Sequence, residues 1–197
     1  MYNRDMPRMA AHGLADADGL ADVFNFVLGT IQQPLQTLGR QMHDFRVNGE
    51  NSTYLFAAKR KGFKYVQTHK LMLLRALRLA KKQDDVERAL LILINVPSLG
   101  IVKAGFVAQC LGFEVACIDS HNLDRLGLPR TALRLPKSAS KKLKRKRVKD
   151  YIKLCFTTGG AEYWWNSWCE YVADKGTNRK LETANDVSAY HYFALVG

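Results

Sequence analysis

The residues whose types and spacing point most directly to chemistry lie between Leu91 and Leu126, in LILINVPSLGIVKAGFVAQCLGFEVACIDSHNLDRL. Two apolar runs of helical character flank the tight turn Pro97-Ser98-Leu99-Gly100. A hairpin of small residues between two short helices points backbone N–H groups at one phosphate, because glycine permits close approach and unusual backbone angles. The start of the second helix adds the positive end of its dipole. Such a hairpin holds one strand of DNA without reading its bases. Ser98, Leu99 and Gly100 are the expected backbone donors. Lys103, just inside the second helix, adds a charge-assisted contact. Asp119 stands where it caps a short helix at Ser120, or where its carboxylate has chemistry to perform.

This order of elements resembles the helix-hairpin-helix DNA glycosylase superfamily. Members show Leu-Pro-Gly-x-Gly, then an apolar helix, then Val-Asp-Thr-His. The chain has Val96-Pro97-Ser98-Leu99-Gly100, then Ala104-Gly105-Phe106-Val107, then Ile118-Asp119-Ser120-His121. The resemblance covers about 35 residues. It implies an all-α, glycosylase-like helical domain. It makes Asp119 the catalytic candidate, beside a nucleotide flipped out of the duplex, because base chemistry inside a duplex requires extrusion. Hydrolysis of the N-glycosidic bond, as in DNA repair, is the implied reaction.

The chain departs from the family in three places. Ser98 replaces the first hairpin glycine. The lysine that bifunctional members use for Schiff-base chemistry aligns near Val102, and Lys103 sits one residue, about 100°, further around the helix. The four cysteines, Cys110, Cys117, Cys155 and Cys169, do not have the close spacing of an iron–sulfur cluster or a zinc site, and are expected to be buried thiols. Two alternatives stay in play, and the departures favour the first. One is a catalytically silent DNA-binding or packaging protein of the same fold. The other is a base-modifying transferase similar to phage amino-acid:DNA transferases that act on thymine derivatives. A helical RNA- or protein-binding domain is the plainest rival.

The charge distribution argues for a polyanion independently of the hairpin. The 197 residues carry 30 Lys and Arg against 18 Asp and Glu, a net charge of +12. The segment 137–153 supplies +8 of this, through Lys137, Lys141, Lys142, Lys144, Arg145, Lys146, Arg147, Lys149 and Lys153 against Asp150. Charge this concentrated points towards a polyanion, most simply nucleic acid, with a solvated or disordered loop as the bland alternative and an anionic membrane surface as a weaker one. The resemblance makes the expected polyanion double-stranded DNA. Lys141, Lys142, Lys144, Arg145, Lys146, Arg147 and Lys149 are the expected phosphate contacts. A milder basic stretch opens at Lys59-Arg60-Lys61.

These residues need a helical scaffold to position them. Residues 1–15 read as a loose tail, and residues 16–197 as one helical domain with the basic segment at 137–153. Helical periodicity covers 18–42 with a break near Gly29 and Pro34, then 66–82, 85–95, 101–112, 120–127, 140–156, 160–174 and 183–195. Asp84 is the expected cap of the helix at 85, with Glu87 three residues on. Residues 129–140 form the linker. Tyr163, Trp164, Trp165, Trp168 and Tyr171 make a helical stripe that favours core packing over stacking on bases. His121 fits the motif as a loop-holding hydrogen-bonding residue, and His69 and His191 read as surface or core residues.

Several classes fall away. The apolar share of 47% is that of a globular protein rather than a disordered one. The most apolar stretch, 89–118, is interrupted by Asn95, Pro97, Lys103 and Glu114, which argues against a membrane span. The first fifteen residues lack an apolar signal-peptide core, so a cytoplasmic location is expected, in the host if the source is viral, and the Asn51-Ser52-Thr53 sequon is idle. No phosphate-binding loop of the Walker type is present, and no cofactor, nucleotide or metal is expected.

Overall fold

The computed structural model describes residues 2–31, 37–136 and 138–177, without the side chains of His121 and residues 171–177. The expectations for Pro34, Lys137, the His121 and Tyr171 side chains, His191 and a helix at 183–195 lie outside the described residues. Within them the regular structure is helical, and no strand occurs. No helix among the described residues is long and apolar enough to cross a membrane.

Among the described residues nine α-helices follow one another: α1 Tyr2–Ala15, α2 Ala17–Gly29, α3 Leu38–Asn48, α4 Ala57–Lys82, α5 Val86–Leu93, α6 Ile101–Cys110, α7 Ser120–Arg125, α8 Lys141–Thr157 and α9 Gly160–Thr177. The core centres on α2, where Leu20, Val23, Phe24, Phe26, Val27 and Leu28 are all buried. Beyond its first turn every residue of α2 except Asp22 is buried, and the helix packs against α1, α3, α4 and α6. Asp16 caps it by accepting from the N–H groups of Asp18 and Gly19 at 3.0 and 2.8 Å.

The N-terminal segment corrects the expectation of a loose tail. It forms α1 despite Pro7, and it buries Met6 and Met9. Gly13 lets the helix close on its neighbours, since a Cβ there would lie 2.6 Å from Leu111 and 2.7 Å from Val23. Asp5 is fully buried and accepts from the indole N–H of Trp165 at 3.2 Å. Of the charges that made this segment read as solvated, Arg4 and Arg8 are exposed while Asp5 belongs to the buried face.

Two boundaries also move. The helix expected from 66 begins at Ala57. The basic run 59–61 hides its first turns, but Gly62, Phe63 and Val66 are buried along one face. The cap of α5 is Asp85, which accepts from the Arg88 N–H at 2.8 Å. Asp84 instead takes a positive φ of 50° in the turn before it.

The aromatic stripe on α9 packs inward. Trp164 and Trp165 are buried, and Phe106 meets the rings of Trp165 and Trp168 at 6.3 and 5.9 Å between centroids. Tyr163 is about half exposed. All four cysteines are free thiols, three of them buried.

Candidate nucleic-acid interface

The turn between α5 and α6 forms with serine where the glycosylase pattern has glycine. Ser98 adopts a φ of 72°, the left-handed region that glycine favours. Its hydroxyl donates to the carbonyl of Ala58 at the start of α4. α4 in turn makes room for the hairpin, because a Cβ on Gly62 would come within 2.6 Å of the Pro97 carbonyl oxygen. The hairpin is thus seated on α4 by a bond and by a missing side chain.

The three expected phosphate donors are not equivalent. The Leu99 N–H bonds inside the turn to the Val96 carbonyl at 3.2 Å, and the Leu99 side chain is buried. Leu99 is therefore a packing anchor rather than a donor. Ser98 and Gly100 are exposed. Gly100 is the extended N-cap of α6 and supplies no side-chain bond to it. The first helical bond of α6 reaches Gly100 from Ala104, so the N–H groups of Ile101, Val102 and Lys103 precede the ladder.

The Lys103 side chain turns inward. Its Nζ donates to the Thr30 hydroxyl at 3.1 Å and lies 5.4 Å from the Phe106 ring centroid. It meets the end of α2 rather than extending with the exposed turn.

Asp119 follows a tightly braced connector. The buried Tyr151 hydroxyl donates to the Ala116 carbonyl at 2.5 Å and accepts from the Ile118 N–H at 3.2 Å. Gly105 faces this hydroxyl so closely that a Cβ would lie 2.5 Å from it. Asn122 donates its side-chain N–H to the Cys117 carbonyl at 3.0 Å. The connector ends at Asp119, whose carboxylate accepts from the Asn122 N–H at 3.1 Å. Asp119 is thus the N-cap of α7, and it is only half buried.

The basic run forms the first half of α8, capped by Ser140 accepting from the Leu143 N–H at 3.2 Å. Lys141, Lys142, Lys144, Arg145, Lys146 and Lys149 line a surface hollow of about 790 Å³ together with Asp150 and with Leu91 and Asn95 of the α5 region. Cations at a helix N-terminus oppose the dipole and repel one another. Glu87 relieves part of this, 3.5 Å from Arg145 and 3.7 Å from Lys149. Arg147 leaves the group, donating at 3.4 Å to the Ala132 carbonyl of the linker.

Packing of α5 against α8 brings hairpin and basic run together. Lys144 Nζ donates to the Asn95 side-chain oxygen at 2.7 Å, two residues before Pro97. Asn95 had no signal in the sequence beyond breaking an apolar run. Lys59 was also missed. It belongs to the milder basic stretch, yet it is 1% exposed and its Nζ has no hydrogen-bond partner. Burial, followed by the charge of Lys103, lowers its pKa to about 8.

Burial pushes the thiols of Cys117, Cys155 and Cys169 up to about 12, which suits packing rather than nucleophilic or ligand roles. Among the described residues no group of three or more His, Cys, Asp or Glu is placed to hold a metal ion. Set beside family models, curated proteins and solved structures, the chain matches none.

Proposed function

We propose that the protein binds double-stranded DNA through one face built from the α5–α6 hairpin and the basic half of α8. The observation that carries this reading is the bond between Lys144 and Asn95, which joins the densest cationic segment to the turn suited to a phosphate. Six cations and one carboxylate, Asp150, line the same hollow, and Glu87 pairs with two of the cations. A polyanion relieves both their mutual repulsion and the unfavourable helix dipole. The test is binding of the full chain to duplex oligonucleotides over a salt series. Steep weakening with salt supports the electrostatic face, and a flat response refutes it.

A glycosylase-like arrangement with a flipped base is the wider form of this proposal, and it rests on the motif resemblance and Asp119. The cap on α7 supports the binding reading first, because capping alone accounts for a carboxylate at this position. Asp119→Asn is a clean test, since asparagine caps helices as well as aspartate does. Mass spectrometry of duplexes carrying uracil, alkylated, oxidised or modified-thymine bases would compare wild type with this variant. An Asp119-dependent loss of a base supports hydrolysis, and a mass gain in the presence of glycine supports transfer. An unchanged mass alongside tight binding leaves a DNA-binding protein.

A further inference from the structure

Lys59 is a buried amine that the face described above does not use. An ammonium taken out of water without a partner is costly. Lys59 is 1% exposed with no hydrogen-bond partner, and the neighbouring Lys103 has the Thr30 hydroxyl as its acceptor. Among the described residues neither amine forms an ion pair with a carboxylate.

Two helix starts meet beside this residue. α4 begins after Phe56 and α6 after Gly100, and neither receives a side-chain cap. The Ser98 hydroxyl bonds Ala58 in the first turn of α4, so the two N-termini are in contact through the hairpin. Phe56, Ala57, Ala58, Ser98 and Gly100 are exposed, and a Cβ on Gly100 would meet nothing within 4 Å. Lys59 Nζ folds back to 5.0 Å from the Phe56 ring centroid, beneath the start of its own helix. Uncapped N–H groups and dipole ends attract an anion. The unpartnered ammonium is an independent feature calling for the same ligand.

We propose that the junction of α4 and α6 is a site for one phosphate group. N–H groups from the two first turns would hold its oxygens, Lys59 would be its counter-ion, and Lys103 would stand behind. The proposal deepens the DNA-binding reading where the group is a backbone phosphodiester, and free phosphate shares the same chemistry.

The full chain is tested by thermal unfolding in inorganic phosphate against chloride at matched ionic strength, for wild type and Lys59→Met. Phosphate is expected to raise the wild-type midpoint by several degrees, with at least tenfold weaker phosphate affinity in the variant. Equal increments in both proteins, or none in wild type, would overturn the site. Selectively labelled lysine NMR on wild type gives a reading that does not depend on the variant folding. The Lys59 side-chain signal should shift and titrate at higher pH with inorganic phosphate present. Displacement of phosphate by a short duplex assigns the group to DNA, whereas a response to phosphate without one to duplex assigns it to free phosphate. A Lys59 signal unmoved by either refutes the proposal, even where duplex binding itself is observed.

Discussion

Lys144 and Asn95 stand 49 positions apart in the chain and 2.7 Å apart in the fold, joined by a hydrogen bond from the ammonium to the amide oxygen. This contact makes the α5–α6 hairpin and the N-terminal half of α8 parts of one surface. It also gives the charge run a direction, since the cations that follow it line the same hollow.

Neutralising Lys141, Lys142, Lys144, Arg145, Lys146 and Lys149 together should weaken duplex binding for all sequences alike. Each phosphate contact contributes about 0.9 to the slope of log affinity against log salt. The slope should therefore become shallower by up to about 5. Arg147→Gln should change the slope far less, because its guanidinium bonds the linker carbonyl of Ala132. Fluorescence anisotropy over a salt series decides both, and a wild-type slope in the six-fold variant removes α8 from the interface.

The hairpin should report the strain at Ser98. Ser98→Ala keeps the φ of 72° and loses the bond to Ala58. Ser98→Gly loses the same bond and relieves the backbone. The glycine variant should be the more stable of the two by about 1 kcal/mol, because an L residue in the left-handed region carries a cost of that order. Urea unfolding of the pair tests this, and an alanine variant as stable as the glycine one contradicts the turn geometry.

The brace behind Asp119 offers a packing test. Gly105→Ala places a Cβ 2.5 Å from the Tyr151 hydroxyl and 2.7 Å from the Ala116 carbonyl oxygen. Overpacking of this kind costs about 1–3 kcal/mol. Tyr151→Phe should cost about as much, by leaving the buried Ile118 N–H without its acceptor. The double variant should cost less than the sum, because the hydroxyl that clashes is absent. Additive losses in equilibrium unfolding would show that the two residues do not act on one another.

Lys59 should write a distinct pH signature. Its pKa is about 8 in the fold against 10.5 for an ordinary lysine. Above 10.5 the amine is neutral in both states. As pH falls from there towards 8 the unfolded chain takes up the proton first, so stability is lost over that window. Lys59→Met should therefore be the more stable protein at pH 7 without phosphate, by about 1–3 kcal/mol. The gap should close between pH 8 and 10.5. Both proteins share an opposite background. The thiols of Cys117, Cys155 and Cys169 are raised from 9.0 to about 12, and their contribution is full below 9 and lost towards 12. The difference between the two unfolding curves isolates Lys59, and a gap independent of pH would show that its amine is solvated in the fold.

Much of the scaffold was legible along the chain, since helical periodicity records which side of each segment is enclosed. α6, α8 and α9 lie close to where that pattern put them, and the hairpin turn falls on Pro97 to Gly100. The charge run was equally plain, because composition needs no fold to be read. Helical content, the turn and the cationic segment are local properties, carried by residues within a few positions of one another.

What the residues do at the site was decided by packing between distant segments. α1 is held by Met6, Met9 and the Asp5–Trp165 bond, which a charged fifteen-residue segment does not announce. Lys103 turns to Thr30 and Arg147 to Ala132, each drawn to an acceptor on another element. Lys59 is enclosed while its neighbours Ala58 and Arg60 are exposed, because only one face of α4 meets the body of the protein. Sequence alone determined the helical class, the tight turn at Pro97 to Gly100 and a concentrated positive charge. The tertiary structure decided which charges share a surface and which are buried, because side-chain direction and long-range partners follow from how helices pack, and not from their order in the chain.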